Sequence, residues 1–170
     1  GPAAPAGVPE CGVFVNNTVQ LPSSRPDSRR PLATHTMSDT APSTPRTRLL
    51  LVEDDRFLRK AAEVVLRRHG FEVLTAQDGE EGLTVARAER PALILLDLIM
   101  PKMQGFQVIE HLKQDPETAN IPVIVMSNLG QESDVQRAME AGALAYVVKS
   151  NVALNDLADR VRGVLAAKQG

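Results

Sequence analysis

Five short apolar runs alternate with five stretches of helical periodicity between residues 48 and 168, and four of the runs end on or run directly into Glu53-Asp54, Asp97, Ser127 and Lys149. Runs of four to seven Val, Leu and Ile residues with little alternation read as strands buried on both faces. Strands that alternate with helices imply parallel pairing, with helices covering both faces of the sheet. The predicted strands are 48–53, 71–76, 92–97, 121–127 and 145–148. The predicted helices are 56–69, about 78–90, 105–114, 133–141 and 155–168. Gly70, Pro91, Asp115-Pro116 and Gly142 stop the first four. Along the first helix, Phe57, Ala61, Val64, Val65 and Leu66 are expected on the buried face. Asp78 is expected to cap the second helix, Phe106, Val108, Ile109 and Leu112 to bury the third, and Leu157, Val161, Val164 and Leu165 the fifth.

The polar residues that close the strands carry the chemistry. In an open parallel sheet all strand C-terminal ends share one rim, where ligands bind. This places Glu53 and Asp54 beside Asp97, Ser127 and Lys149, residues far apart in sequence. A carboxylate can act as a nucleophile toward a phosphoryl group, but donor and attacker are both anionic. A hard divalent cation such as Mg²⁺ relieves that repulsion and needs only two or three carboxylates, since it keeps several waters. Glu53, Asp54 and Asp97 supply that number. Lys149 adds a point charge, Ser127 a hydroxyl donor, and transfer then rests on positioning and charge neutralisation. Each residue also has a plainer reading. Acids at strand ends cap the next helix, which is the favoured role for Asp55. Ser127 alone is a loop hydroxyl, Lys149 alone a surface lysine, and Tyr146 alone a partly packed aromatic.

Composition narrows the classes. The 170 residues suffice for one ordinary domain. Eight of the 12 prolines precede residue 49 in a Ser-, Thr- and Ala-rich stretch without periodicity, so residues 1–47 are expected to form a disordered tail and 48–170 the domain. Val13–Val19 is a candidate short edge strand within that tail. Gly1-Pro2 resembles a tag-cleavage remnant, and Met37 is a candidate natural start. The segment 49–170 holds 14 basic and 18 acidic residues, which disfavours nucleic-acid binding. Cys11 is the only cysteine, which excludes an internal disulfide and fits a reducing, cytoplasmic setting. No apolar stretch is long enough to span a bilayer.

With the acid pair after the first strand, Asp97-Leu98-Ile99-Met100-Pro101 with Gly105 beyond it, Ser127, Ala141-Gly142-Ala143 and Tyr146-Val147-Val148-Lys149, the chain resembles the receiver domain of bacterial two-component response regulators. The resemblance covers essentially all of 48–168. It implies an α/β fold, a doubly wound five-stranded parallel sheet in the flavodoxin-like order 2-1-3-4-5 with five helices. It further implies that a sensor histidine kinase phosphorylates Asp97, that Glu53, Asp54, Asp97 and the Ile99 carbonyl hold Mg²⁺, and that Ser127 and Tyr146 form a switch pair. On this reading the chain is a phosphoacceptor that promotes its own phosphorylation and slow dephosphorylation, not an enzyme with a separate substrate. With no helix-turn-helix module after the fifth helix, a single-domain regulator is expected, docking on a partner or relaying to a histidine phosphotransfer protein, with no DNA contact and no membrane insertion. Homodimerisation is left open, through the fourth helix, fifth strand and fifth helix or through the first and fifth helices.

The sequence departs from the family pattern in three places. Ser150 replaces the usual proline after Lys149, so the bond is expected to be trans or strained, and the loop before the fifth helix is longer by one residue. Ser127 stands for the commoner Thr, with Asn128 expected to narrow access to Asp97. Ile99 and Leu129, at the positions that tune dephosphorylation, cannot orient a water. The competing readings are a non-phosphorylated pseudo-receiver that only binds partners, an aspartyl-phosphate phosphatase of the haloacid dehalogenase type, and a flavin-binding fold. The phosphatase lacks its second acid, because Ile99 occupies that place. The flavin fold lacks a phosphate loop, because Glu53-Asp54-Asp55 would repel an anion.

Overall fold

The structure, a computed structural model, describes residues 44–169. The expected tail and the candidate strand at Val13–Val19 lie outside the described residues, apart from the exposed 44–47. The elements run β1 (Arg48–Val52), α1 (Arg56–Arg68), β2 (Glu72–Ala76), α2 (Gly79–Glu89), β3 (Leu93–Asp97), α3 (Gly105–Gln114), β4 (Val123–Ser127), α4 (Glu132–Ala141), β5 (Ala145–Val148), a 3₁₀ turn (Lys149–Asn151) and α5 (Leu154–Gln169). All strands pair in parallel in the order β2-β1-β3-β4-β5.

Alternation along the strands divides the core into two layers. Leu50, Val52, Ile94, Leu96, Val123 and Val125 face α2, α3 and α4. Leu49, Leu51, Leu93, Leu95, Ile124, Met126 and Val147 face α1 and α5. The inner strands β3 and β4 therefore bury every residue and β1 all but Arg48, whereas the edge strands β2 and β5 bury theirs only in part.

One expectation about the core is overturned. Phe57 is 83% exposed, Ala61 is exposed and Val64 only half-buried. Ala62 and Leu66 are the buried residues of α1, set against the β1 and β3 side chains of the second layer. Phe57, Ala61 and Val64 do share a stripe at helical spacing, but Phe57 and Ala61 face outward, and Val64, like Val65, lies half-buried at the flank. Along α5, Leu157 and Val161 are buried, and Val164 and Leu165 pack against the same layer half-buried.

The helix ends follow the local chemistry. The Asp55 carboxylate accepts from the Phe57 and Leu58 amides at 2.9 and 3.0 Å, capping α1. Asp78 caps α2 by accepting from the Glu81 amide at 2.9 Å. Arg90 ends α2 in the left-handed region, with φ 45°. Gly105 opens α3 where only hydrogen fits, since a Cβ there would stand 2.4 Å from the Asp97 carbonyl oxygen. That close approach presses the first turn of α3 against the end of β3.

Candidate functional site at the strand C-terminal rim

The strand register delivers the polar residues to one place. Val52 aligns with Leu96, so Glu53 falls level with Asp97. Asp97 aligns with Met126, and Ser127 with Val148, so Ser127 and Lys149 each lie one step further along. Glu53, Asp54, Asp97, Ile99, Asn128, Leu129 and Lys149 line a single open cleft, with Asp55 and Leu58 at its α1 side.

The acids differ in how they are held. Glu53 is 1% exposed and Asp97 4%, while Asp54 stands in the open. Lys149 Nζ donates to Glu53 Oε1 at 2.5 Å and lies 3.3 Å from Asp97 Oδ2. Glu53 Oε2 also accepts from the Asp55 amide at 3.1 Å, and Asp97 Oδ1 from the Ile99 amide at 3.3 Å. Oxygens of Glu53, Asp54 and Asp97 lie within 4.8 Å of one another. Three carboxylates at that spacing fit a hard divalent ion that keeps part of its hydration shell. The Glu53 carboxylate is shared, because Lys149 already occupies one of its oxygens.

These surroundings shape the charge states. Burial and then the neighbouring Glu53 charge push Asp97 up to about 7, against the pull of Lys149 and the Ile99 amide. Burial works against the charged form of Lys149, but its bonds to Glu53 and the charge of Asp97 outweigh it and leave the ammonium above the usual lysine range.

Ser127 and Tyr146 both bond the backbone of Leu129, one at its amide and the other at its carbonyl. The buried Ser127 Oγ accepts from the Leu129 amide at 3.1 Å, and the Tyr146 hydroxyl donates to the Leu129 carbonyl at 2.7 Å. The Tyr146 ring packs against the layer that faces α2, α3 and α4. Burial first raises the phenol above its usual range, in part offset by the neighbouring Ser127 hydroxyl.

The loop after β5 differs from the family pattern as its sequence requires. All described peptide bonds are trans, including Lys149–Ser150. The added length is taken up by the 3₁₀ turn over Lys149–Asn151. Ile99 is 56% exposed and Leu129 half-buried, and Asn128 is exposed at the cleft edge. Sequence reasoning did not single out Arg59, whose guanidinium donates to the carbonyls of Glu53 at 2.8 Å and Asp54 at 3.3 Å. The available signal was a long cationic side chain one helical turn after Asp55.

Fold and rim together define the class: a flavodoxin-like α/β domain of the CheY type. The chain belongs to the response regulator receiver domain family, whose family model matches residues 49–162. Among curated relatives it is 37% identical over 102 residues to protein PilH of Pseudomonas aeruginosa, which covers 60% of this chain and 84% of PilH. It is 39% identical over 121 residues to the gliding motility regulatory protein of Myxococcus xanthus, covering 71% of this chain and 16% of that protein. Against the probable transcriptional regulator ycf27 of Cyanophora paradoxa it is 38% identical over 120 residues, covering 71% of this chain and 48% of that protein. The chain thus spans half or less of several curated relatives it matches. Of solved structures, a response regulator from Chloroflexus aurantiacus superposes with TM-score 0.68 at 31% identity, covering 72% of this chain and 99% of that one. Vibrio cholerae CheY4 does so with TM-score 0.67 at 26% identity, covering 71% and 99%. Receiver domains are the phosphoacceptors of two-component signalling, and they interact with histidine kinases. Among the described residues no helix is long and apolar enough to cross a membrane.

Proposed function

We propose that Asp97 accepts a phosphoryl group from the phosphohistidine of a sensor histidine kinase, in the cytoplasm, and that the chain signals through the resulting change of shape. The observation that carries this reading is the convergence of three carboxylates and Lys149 on one cleft, with Asp97 the acid at the end of the central strand. An Asp97 Oδ attacks phosphorus, the phosphorus–nitrogen bond of the donor breaks, and its electron pair leaves with the imidazole. Glu53, Asp54, Asp97 and the Ile99 carbonyl would hold Mg²⁺, which when bound supplies charge neutralisation for the transferred group. Lys149 pairs with the incoming phosphoryl oxygens. Ser127 exchanges the Leu129 amide for a phosphoryl oxygen, loosening the residue whose carbonyl Tyr146 holds. The signal is then a two-state shift of the α4–β5–α5 surface, read by a docking partner or relayed to a histidine phosphotransfer protein. PilH, nearly filled by the aligned segment, supports a signalling unit of receiver size.

Intact-mass spectrometry after incubation with acetyl phosphate and Mg²⁺ tests this. One added phosphoryl group is expected on the wild type and none on Asp97→Asn. No addition from either acetyl phosphate or a kinase would sink the phosphoacceptor reading and leave a protein-binding pseudo-receiver.

A further inference from the structure

We infer that Arg59 is a positioning residue for Asp54, the exposed member of the acid trio; this rests on the cation reading above. Glu53 and Asp97 are fixed through their own side chains, by Lys149, the Asp55 amide and the Ile99 amide. The Asp54 carboxylate takes part in none of those bonds. What fixes Asp54 is its backbone. The Glu53 carbonyl belongs to the peptide plane before the Asp54 Cα, and the Asp54 carbonyl to the plane after it. Arg59 Nη1 donates to both, at 2.8 and 3.3 Å. Holding both planes sets φ and ψ of Asp54, and with them the direction in which its side chain leaves the chain.

Arg59 is itself anchored from below. Its amide donates to the Asp55 carbonyl at 2.8 Å, and Asp55 caps the same helix. The Glu53 amide closes the arrangement by donating to the Ala76 carbonyl at 3.0 Å. The acid loop is thus tied to β2 on one side and to the first turn of α1 on the other. Partners one shell removed from a metal orient its ligands, and their loss weakens metal binding by roughly ten- to a hundredfold.

Charge alone makes the opposite forecast, which separates the two roles. A guanidinium near a cation site repels the cation, so removing it should tighten binding if Arg59 acted only through its field. Positioning requires the removal to weaken binding.

The experiment is calorimetric titration of Mg²⁺ into wild type, Arg59→Met and Arg59→Lys, with thermal melts of each in chelator. Arg59→Met, which keeps the aliphatic stem, is expected to bind Mg²⁺ about tenfold more weakly, with Arg59→Lys between it and wild type. Wild-type or tighter affinity in a folded Arg59→Met overturns the inference and leaves the cation reading intact. Should Arg59→Met fail to fold, Arg59→Lys decides, because it keeps the charge and loses the fork. About threefold weaker binding by the Lys variant upholds positioning, and unchanged affinity overturns it. A wild type that takes up no Mg²⁺ overturns the cation reading and this inference together.

Discussion

Lys149 sits closer to Glu53 than to the acid it is expected to serve: its Nζ is 2.5 Å from Glu53 Oε1 and 3.3 Å from Asp97 Oδ2. The lysine therefore occupies a carboxylate that a divalent cation would also need. On the cation reading, Lys149 and the ion would compete for Glu53, and binding the ion would favour a lysine turned toward Asp97 or the phosphoryl group. Lys149 opens the 3₁₀ turn Lys149–Asn151, which stands where the family pattern has a lysine–proline corner.

Lys149→Met should accordingly split two properties that usually fall together. Phosphoryl uptake from acetyl phosphate is expected to vanish. Mg²⁺ affinity is expected to rise by roughly tenfold, since a competing positive charge has gone. Without the cation the variant should melt at lower temperature, because breaking a buried pair leaves its partner uncompensated, and added Mg²⁺ should restore much of the loss. Calorimetry and thermal melts check both arms; weaker Mg²⁺ binding in the variant would refute the competition.

Asp97 supplies a pH prediction. Native Asp97 keeps its proton up to about 7, whereas an unfolded aspartate loses it near 4. Between those values the native state binds more protons than the unfolded one, so this group makes stability fall as pH rises through the window. Above about 7 both states are ionised and the destabilisation is complete. Below about 4 both are protonated and it is absent. Because a bound cation needs the ionised form, Mg²⁺ should raise the melting temperature at pH 8 and hardly at pH 5. An equal shift at both would contradict the assignment, as would an Asp97 carboxyl carbon that titrates near 4 by NMR in chelator.

The rim was legible in the sequence because period and register are local properties. Each strand ends where its apolar run ends, and parallel pairing carries those ends to one side whatever the helices do. The buried face of α1 was not legible in the same way. Arg56–Arg68 carries two apolar stripes, one through Phe57, Ala61 and Val64 and the other through Ala62, Val65 and Leu66. Periodicity weighs both alike, and the packing of Ala62 and Leu66 against the β1 and β3 side chains decides between them. Arg59 was hidden for a related reason: its acceptors are backbone carbonyls, which have no signature in sequence. The lean of Lys149 toward Glu53 depends on side-chain geometry at the end of a lengthened loop, which spacing alone does not convey.

Leu129, held at its amide by Ser127 and at its carbonyl by Tyr146, yields a prediction about the switch. Tyr146→Phe removes the 2.7 Å bond to the Leu129 carbonyl and keeps the ring. A net loss of about 1 kcal/mol in stability is expected, with phosphoryl uptake within twofold of wild type. The Leu129 amide, which also reaches Ser127, should exchange with solvent faster. NMR shift changes on phosphorylation should shrink over α4 and β5 while those near Asp97 persist. Undiminished changes over α4 and β5 would show that Tyr146 does not couple the two.

Ile99 and Leu129 face the same cleft as Asp97 without a hydrogen-bonding group between them. Neither can align a water for attack on an acyl phosphate, so the phosphorylated state is expected to be long-lived. Ile99 is 56% exposed and Leu129 half-buried, so polar replacements at both are tolerable without reworking the core. Ile99→Asn with Leu129→Glu brings an amide and a carboxylate to the place where a water would approach. Positioned proton acceptors accelerate such steps by about 10²–10⁴-fold, and placement on exposed or half-buried side chains puts the expected gain near the low end, at least tenfold. The measurement is loss of the added phosphoryl mass with time after the donor is removed, in Mg²⁺ and again in chelator. A rate unchanged by the double substitution would mean that access to Asp97, for which Asn128 is the nearest candidate at the cleft edge, limits hydrolysis instead of water alignment.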